Sequence, residues 1–177
     1  RWGGELGDEP IKKLLKLYVR FHEEAENDPT LEKEASEWFQ KLEEGDAEAV
    51  ELWEKFREMS LNEFQRIYGM LGTSELLDAG ESRFVERGKK LIDELLAKGV
   101  AEKSEGAVVI PVGGEMPPLM LRKSDGTTIY ATRDVASALW RWEKFRPDLM
   151  LYVVGNDQKL HFRQLFRALD RLGVDAR

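Results

Sequence analysis

Residues 119–145, LMLRKSDGTTIYATRDVASALWRWEKF, and 148–171, DLMLYVVGNDQKLHFRQLFRALDR, read strand, helix, strand, helix. Alternation of this kind predicts α/β architecture, here part of a doubly wound, Rossmann-like parallel sheet. Polar residues gather where each strand runs into its helix. Tyr130 and Asp134 stand at the first junction, and Gly155, Asn156, Asp157 and Gln158 at the second. In open parallel sheets ligands bind outside those strand ends. An acid, a phenol and an amide on two adjacent strand ends suit a small, polar, cationic ligand.

Upstream, the first hundred residues repeat helix punctuation. Pro10 stands at a helix start, followed by Ile11, Leu14, Leu15, Tyr18, Phe21, His22 and Ala25 at helical spacing. Asp28-Pro29 supplies an N-cap and first residue for a second helix, with Leu31, Ala35, Trp38, Phe39 and Leu42 as its stripe and Gly45 after its end. Asp46 opens a third, carrying Val50, Trp53 and Phe56 inward. Ser60-Leu-Asn-Glu63 either caps a fourth helix or lies within a third that runs on to Gly72.

After a polar loop around Gly80 comes a helix from about residue 83 to 98, closed by Gly99, then an extended pattern over 100–112 broken by Ser104-Glu105-Gly106, a hairpin signal. Short strands are predicted at 119–122 and 127–130, around the Ser124-Asp125-Gly126 turn, and at 149–154. The organisation is thus a helical part (1–72), a helix with a small β-hairpin insertion (73–118), and the C-terminal half of the Rossmann-like fold (119–177). Too few parallel strands are present for a complete sheet, so an exposed edge open to self-association is expected.

Hydrophobic residues make up 42% and charged ones 34%, the balance of a soluble globular protein. No apolar run is long enough to span a membrane, and no signal segment opens the chain. With no cysteine, disulfides and thiolate metal sites are excluded, and a cytoplasmic setting is expected. Net charge is −7, distributed as −9 over residues 1–100 and +2 over the remainder. An acidic surface repels a phosphate backbone, so the first hundred residues make a poor nucleic-acid platform.

Each residue at the two junctions has a plain alternative. Asp134, expected in the first helical turn, either caps that helix, as Thr132 would, or accepts paired N–H bonds from a guanidinium. Gln158 either faces water or offers its amide to the ligand. His161 is either a satisfied, partly buried ring or a ligand contact, with Gln164 on a nearby face. Gly155 either ends a strand or lets a nucleotide approach the backbone. The pattern is not a dinucleotide fingerprint, no phosphate loop or serine-nucleophile elbow is present, and no cluster has metal-ligand spacing.

The strings KSDGTTIYATRD and YVVGNDQKLHFRQLF resemble two segments of the catalytic domain of arginyl-tRNA synthetases, class I enzymes of doubly wound fold. The likeness extends through LLKLYVRFHEEAENDP, GDAEAVELWEKFREMSLNEFQRIYGMLG and AGESRFVERG, in order and at similar spacing. It implies an enzyme that joins L-arginine to ATP (with Mg2+), then passes the arginyl group to tRNA(Arg). By the same resemblance Tyr130, Asp134 and Gln158 contact substrate arginine, and Gly155, Asp157, His161 and Gln164 border ATP and the adenylate. No role follows for Glu81 or Lys123.

The family's His-x-Gly-His and Lys-Met-Ser-Lys-Ser-like motifs are not in this chain, so the catalytic residues proper are not among those read here. With Arg1 rather than methionine at its start, the chain is expected to be an internal fragment, inactive alone. The competing expectation is a non-catalytic acidic α/β interaction module.

Overall fold

In the computed structural model, residues 9–73 and 76–174 are described, and the chain divides into two units, Arg1–Leu77 and Asp78–Arg177. The described residues of the first form three helices. Helix α1 (Pro10–Ala25) starts on its proline, α2 (Pro29–Glu44) is capped by Asp28, whose carboxylate accepts the Thr30 N–H at 3.1 Å, and Gly45 closes it at φ 81°. Helix α3 (Ala47–Leu71) is one uninterrupted element ending at Gly72, φ 69°. The Ser60 pattern therefore does not open a fourth helix: the Ser60 hydroxyl donates back to the Phe56 carbonyl at 2.8 Å, a bond available only inside a helix. Among its described residues only Ala25, Leu31 and Ala49 are buried, while Leu15, Tyr18, Phe39, Met70 and Leu71 stay exposed.

The second unit holds a continuous buried core. A 3-10 turn (Glu81–Phe84) leads into α4 (Val85–Ala97), followed by β1 (Glu102–Ser104), β2 (Ala107–Ile110), β3 (Leu119–Arg122), α5 (Tyr130–Phe145), a second 3-10 turn (Asn156–Gln158) and α6 (Lys159–Arg171). Strands β1 and β2 form the expected hairpin. Its two-residue turn, Glu105-Gly106, has φ of 49° and 83°, the positive pair that a type I′ turn requires. Strand β3 adds antiparallel to β2, giving the order β1-β2-β3. Phe84, Ile92, Leu95, Val108, Ile110, Leu121, Val135, Leu165 and Leu169 meet in one cluster between this sheet and helices α4, α5 and α6.

Two strand expectations change. The segment 127–130 is not a strand: Thr128 makes a single antiparallel bridge to Arg122, and Tyr130 already begins α5. The tight return is held by Asp125, whose carboxylate accepts from the Thr127 N–H (2.9 Å) and hydroxyl (2.6 Å). Those bonds, with the hydroxyl the larger contribution, hold the Asp125 carboxyl below the usual range. The segment 149–154 pairs with no strand, and the only sheet among the described residues is antiparallel. Its side chains nonetheless alternate as in a strand. Met150 and Tyr152 pack on the core, while Leu149, Leu151 and Val153 face out, Val153 being 99% exposed. Alternation is written in the residues of the segment itself, whereas pairing needs a neighbour.

Candidate active site

The start of α5 is fixed by an irregularity in the sheet. The register pairs Val108 with Arg122 and Val109 with Met120, which skips Leu121. The Leu121 carbonyl instead accepts the Thr132 hydroxyl, in a short buried bond, and the Ile129 N–H at 3.4 Å. Thr132 is therefore not a cap but a tie from α5 to β3. On its other side α4 comes close: a Cβ at Gly88 would lie 3.0 Å from Thr132 Cγ2. Two ion pairs brace the same helix from outside, Arg133 to Glu81 at 2.9 Å and Arg87 to Glu143 at 2.7 Å. Glu81 thus has a place in the structure that its sequence context did not suggest.

Asp134 is the fifth residue of α5, beyond the first turn, and no side chain caps this helix. The expectation that helix-terminal N–H groups hold its charge is corrected: its partner is His161, whose Nε2 lies 2.8 Å from Asp134 Oδ2. The Tyr130 ring stands edge-on to His161 with centroids 4.7 Å apart. Tyr130, Asp134 and His161 therefore converge, although 27 residues separate the acid from the imidazole. His161 is buried and Tyr130 half-exposed, while the Asp134 side chain keeps 25% of its surface open. The opening leaves the carboxylate reachable by a ligand.

One turn before His161, Gln158 occupies the N-cap position of α6 and is exposed. It stands three residues before His161, at the junction of the 3-10 turn and α6. Asp157 folds back over Gly155, its Oδ1 occupying the space a side chain there would need. Gln164 is tied to the backbone of a neighbouring loop. Its Nε2 donates to the carbonyls of Pro117 (2.7 Å) and Pro118 (3.2 Å), pinning the loop before β3. That loop walls an open cleft of about 570 Å³, lined by Gly113, Gly114, Met116, Arg163 and Arg167. Lys123 is exposed in its turn.

Farther along α5, Ser137 donates to the Asp134 carbonyl at 3.1 Å and receives the Arg141 guanidinium at 3.2 Å. Arg141 also lies 5.7 Å from the centre of the Tyr152 ring. The Tyr152 hydroxyl is buried without a hydrogen bond. Burial pushes it above the ordinary tyrosine value of 10.0; Arg141 draws it partly back and the Asp134 carboxylate adds to the rise. Tyr152 was hidden in the sequence as one more residue of an apolar strand. Among the described residues no three His, Asp or Glu side chains converge as a metal site, and no helix is long and apolar enough to cross a membrane.

Comparison with known proteins follows this geometry. A family model described as tRNA synthetases class I (R), catalytic domain, matches residues 4–177. The arginine–tRNA ligase of Exiguobacterium sibiricum is 50% identical over 177 residues, covering 98% of this chain and 32% of that protein. That of Lactobacillus acidophilus is 48% identical over 176 residues, 98% of this chain and 31% of its own length. The chain thus spans about a third of these relatives. Among solved structures, the arginyl-tRNA synthetase of Plasmodium falciparum superposes with a TM-score of 0.74 at 24% identity, over 95% of this chain and 27% of that one. This last likeness concerns the fold.

Proposed function

The chain belongs to the catalytic-domain family of class I arginyl-tRNA synthetases, and from that premise we propose that the full-length protein containing it is an arginine–tRNA ligase. The observation that carries the reading is the convergence of Tyr130 and Asp134 at the start of α5, with Gln158 one turn from their neighbour His161. A guanidinium is planar and presents parallel N–H donors; a partly open carboxylate accepts them in a geometry an ammonium cannot match. The Tyr130 ring flanks that position, and the Gln158 amide oxygen supplies a further acceptor. An analogue without the guanidinium leaves these groups unpaired, which is how polar sites discriminate strongly.

The remaining residues of the second junction, Gly155 and Asp157 with His161 and Gln164 behind them, are assigned to ATP and the adenylate on the strength of the motif they form. In the first step the arginine carboxylate attacks the α-phosphorus of ATP and pyrophosphate leaves. In the second, a hydroxyl of the terminal adenosine of tRNA(Arg) attacks the arginyl carbonyl and AMP leaves. Mg2+ enters with ATP as part of that substrate; no cluster of acids among the described residues is built to hold it separately. The contribution of this segment is positioning, which converts binding into rate when reacting groups are held in line. A cytoplasmic location suits a chain without cysteine.

Purified alone, the 177-residue chain is expected to show no arginine-dependent ATP–pyrophosphate exchange, even with tRNA(Arg) present, while the full-length protein shows it readily. Exchange by the isolated chain would mean that it carries its own activation machinery. Activity absent from both proteins would favour the interaction-module reading.

A second expectation concerns partners. We place self-association of the isolated chain at 149–154, where Leu149, Leu151 and Val153 present an apolar row with no neighbouring strand. Sedimentation velocity across a concentration series is expected to show reversible dimers that Val153→Lys removes. Concentration-independent sedimentation of the unaltered chain would rule the edge out as an association site.

A further inference from the structure

His161 is the only titratable side chain that is buried among the described residues, at 8% exposure. Its ring makes edge-on contacts with Tyr130 and with Phe162, centroids 5.0 Å apart for the latter. These contacts leave the imidazole little freedom to rotate. Among the described residues its one polar contact is Nε2 to Asp134 Oδ2. An ionised carboxylate only accepts hydrogen bonds, so Nε2 carries the proton. The bond occupies one of the lone-pair sites on Oδ2, and both sites on Oδ1 remain. The nucleotide motif in which His161 occurs therefore delivers its ring to the acid that reads the amino acid.

We propose that His161 is a positioning residue for the arginine half of the site: through Nε2–H it fixes the Asp134 carboxylate in the orientation that receives the guanidinium. The proposal rests on the reading that Asp134 binds substrate arginine. A carboxylate on a rotatable side chain that is already hydrogen-bonded to a ring held in place by its neighbours loses less freedom when a ligand docks. Without the imidazole, Asp134 is free to turn toward solvent, and arginine must order it.

Two measurements test this. In the full-length enzyme, with ATP and tRNA saturating, His161→Leu is expected to raise the arginine KM by about 10- to 100-fold, the worth of a charge-assisted hydrogen bond. His161 also belongs to the motif assigned to ATP, so the discriminating readout is relative: the arginine KM is expected to rise at least about tenfold more than the ATP KM. His161→Gln, which keeps an N–H donor, recovers most of the loss. In the 177-residue chain, long-range 1H–15N correlation is expected to show the neutral His161 ring as the Nε2-protonated tautomer, a preference that weakens in Asp134→Asn. His22 is the only other histidine, so the signal is readily assigned.

A rise confined to the ATP KM, or a dominant Nδ1-protonated ring, overturns the proposal. If Asp134→Asn raises the arginine KM and His161→Leu does not, the positioning role fails while the guanidinium reading stands. If neither variant changes it, the reading beneath fails as well.

Discussion

Asp134→Asn in the full-length enzyme raises the arginine KM, or lowers kcat/KM for arginine, by roughly 30-fold to several hundred-fold, equivalent to about 2–4 kcal/mol. The substitution keeps volume and shape and removes the negative charge. A guanidinium then faces a neutral amide, one of whose ends donates rather than accepts, so one N–H is left opposed to another. The side chain is only a quarter exposed, so solvent compensates little for the lost pair. Because His161 keeps an acceptor in the amide oxygen, the fold is expected to tolerate the change, and thermal unfolding of the 177-residue chain serves as the control. Steady-state aminoacylation at varied arginine is the measurement; a change below about threefold would falsify the assignment of Asp134 to the guanidinium.

The second large effect is on stability. Leu165 lies in the middle of α6, fully buried, in the same cluster as Leu121, Val135 and Leu169. Leu165→Ala removes three carbons from a site enclosed by two helices and a sheet, which cannot collapse around the gap. The expected cost is about 2–5 kcal/mol, a large part of the total stability of a domain of this size. Denaturant titration followed by tryptophan fluorescence measures it, since Trp140 and Trp142 both pack at the edge of that cluster. Phe39→Ala, on an exposed side chain in α2, is the contrast and is expected to cost less than about 1 kcal/mol. Comparable costs for the two would mean that the C-terminal unit lacks the core described.

The helices were legible because their ends are chemical. Asp28-Pro29, Gly45 and Gly72 each perform the terminating or capping act that their residue types suggest. Ser60-x-x-Glu63 misleads because a serine with an acid three residues on satisfies a capping box and a helix interior equally well; only the Phe56 carbonyl decides. Thr127-Thr128-Ile129 has strand composition, yet the Asp125 turn uses it as a return, leaving room for one bridge. In the site, the family likeness picked out Tyr130, Asp134 and Gln158 by position. It could not disclose that Asp134 meets His161, because contacts across two helices leave no periodic trace in the intervening residues. Thr132 has the residue type of a cap; its bond to a carbonyl freed by a sheet irregularity depends on a strand eleven residues earlier.

The segment 149–154 divides its tolerance to substitution in two. Its odd and even residues answer to different neighbourhoods. Met150 and Tyr152 are held to account by the helices beneath them, so drift there is checked by the core of this same unit. Leu149, Leu151 and Val153 point mostly into solvent. A charge at Val153 is therefore expected to leave this unit's stability unchanged, whereas the same charge at Tyr152 would break its packing.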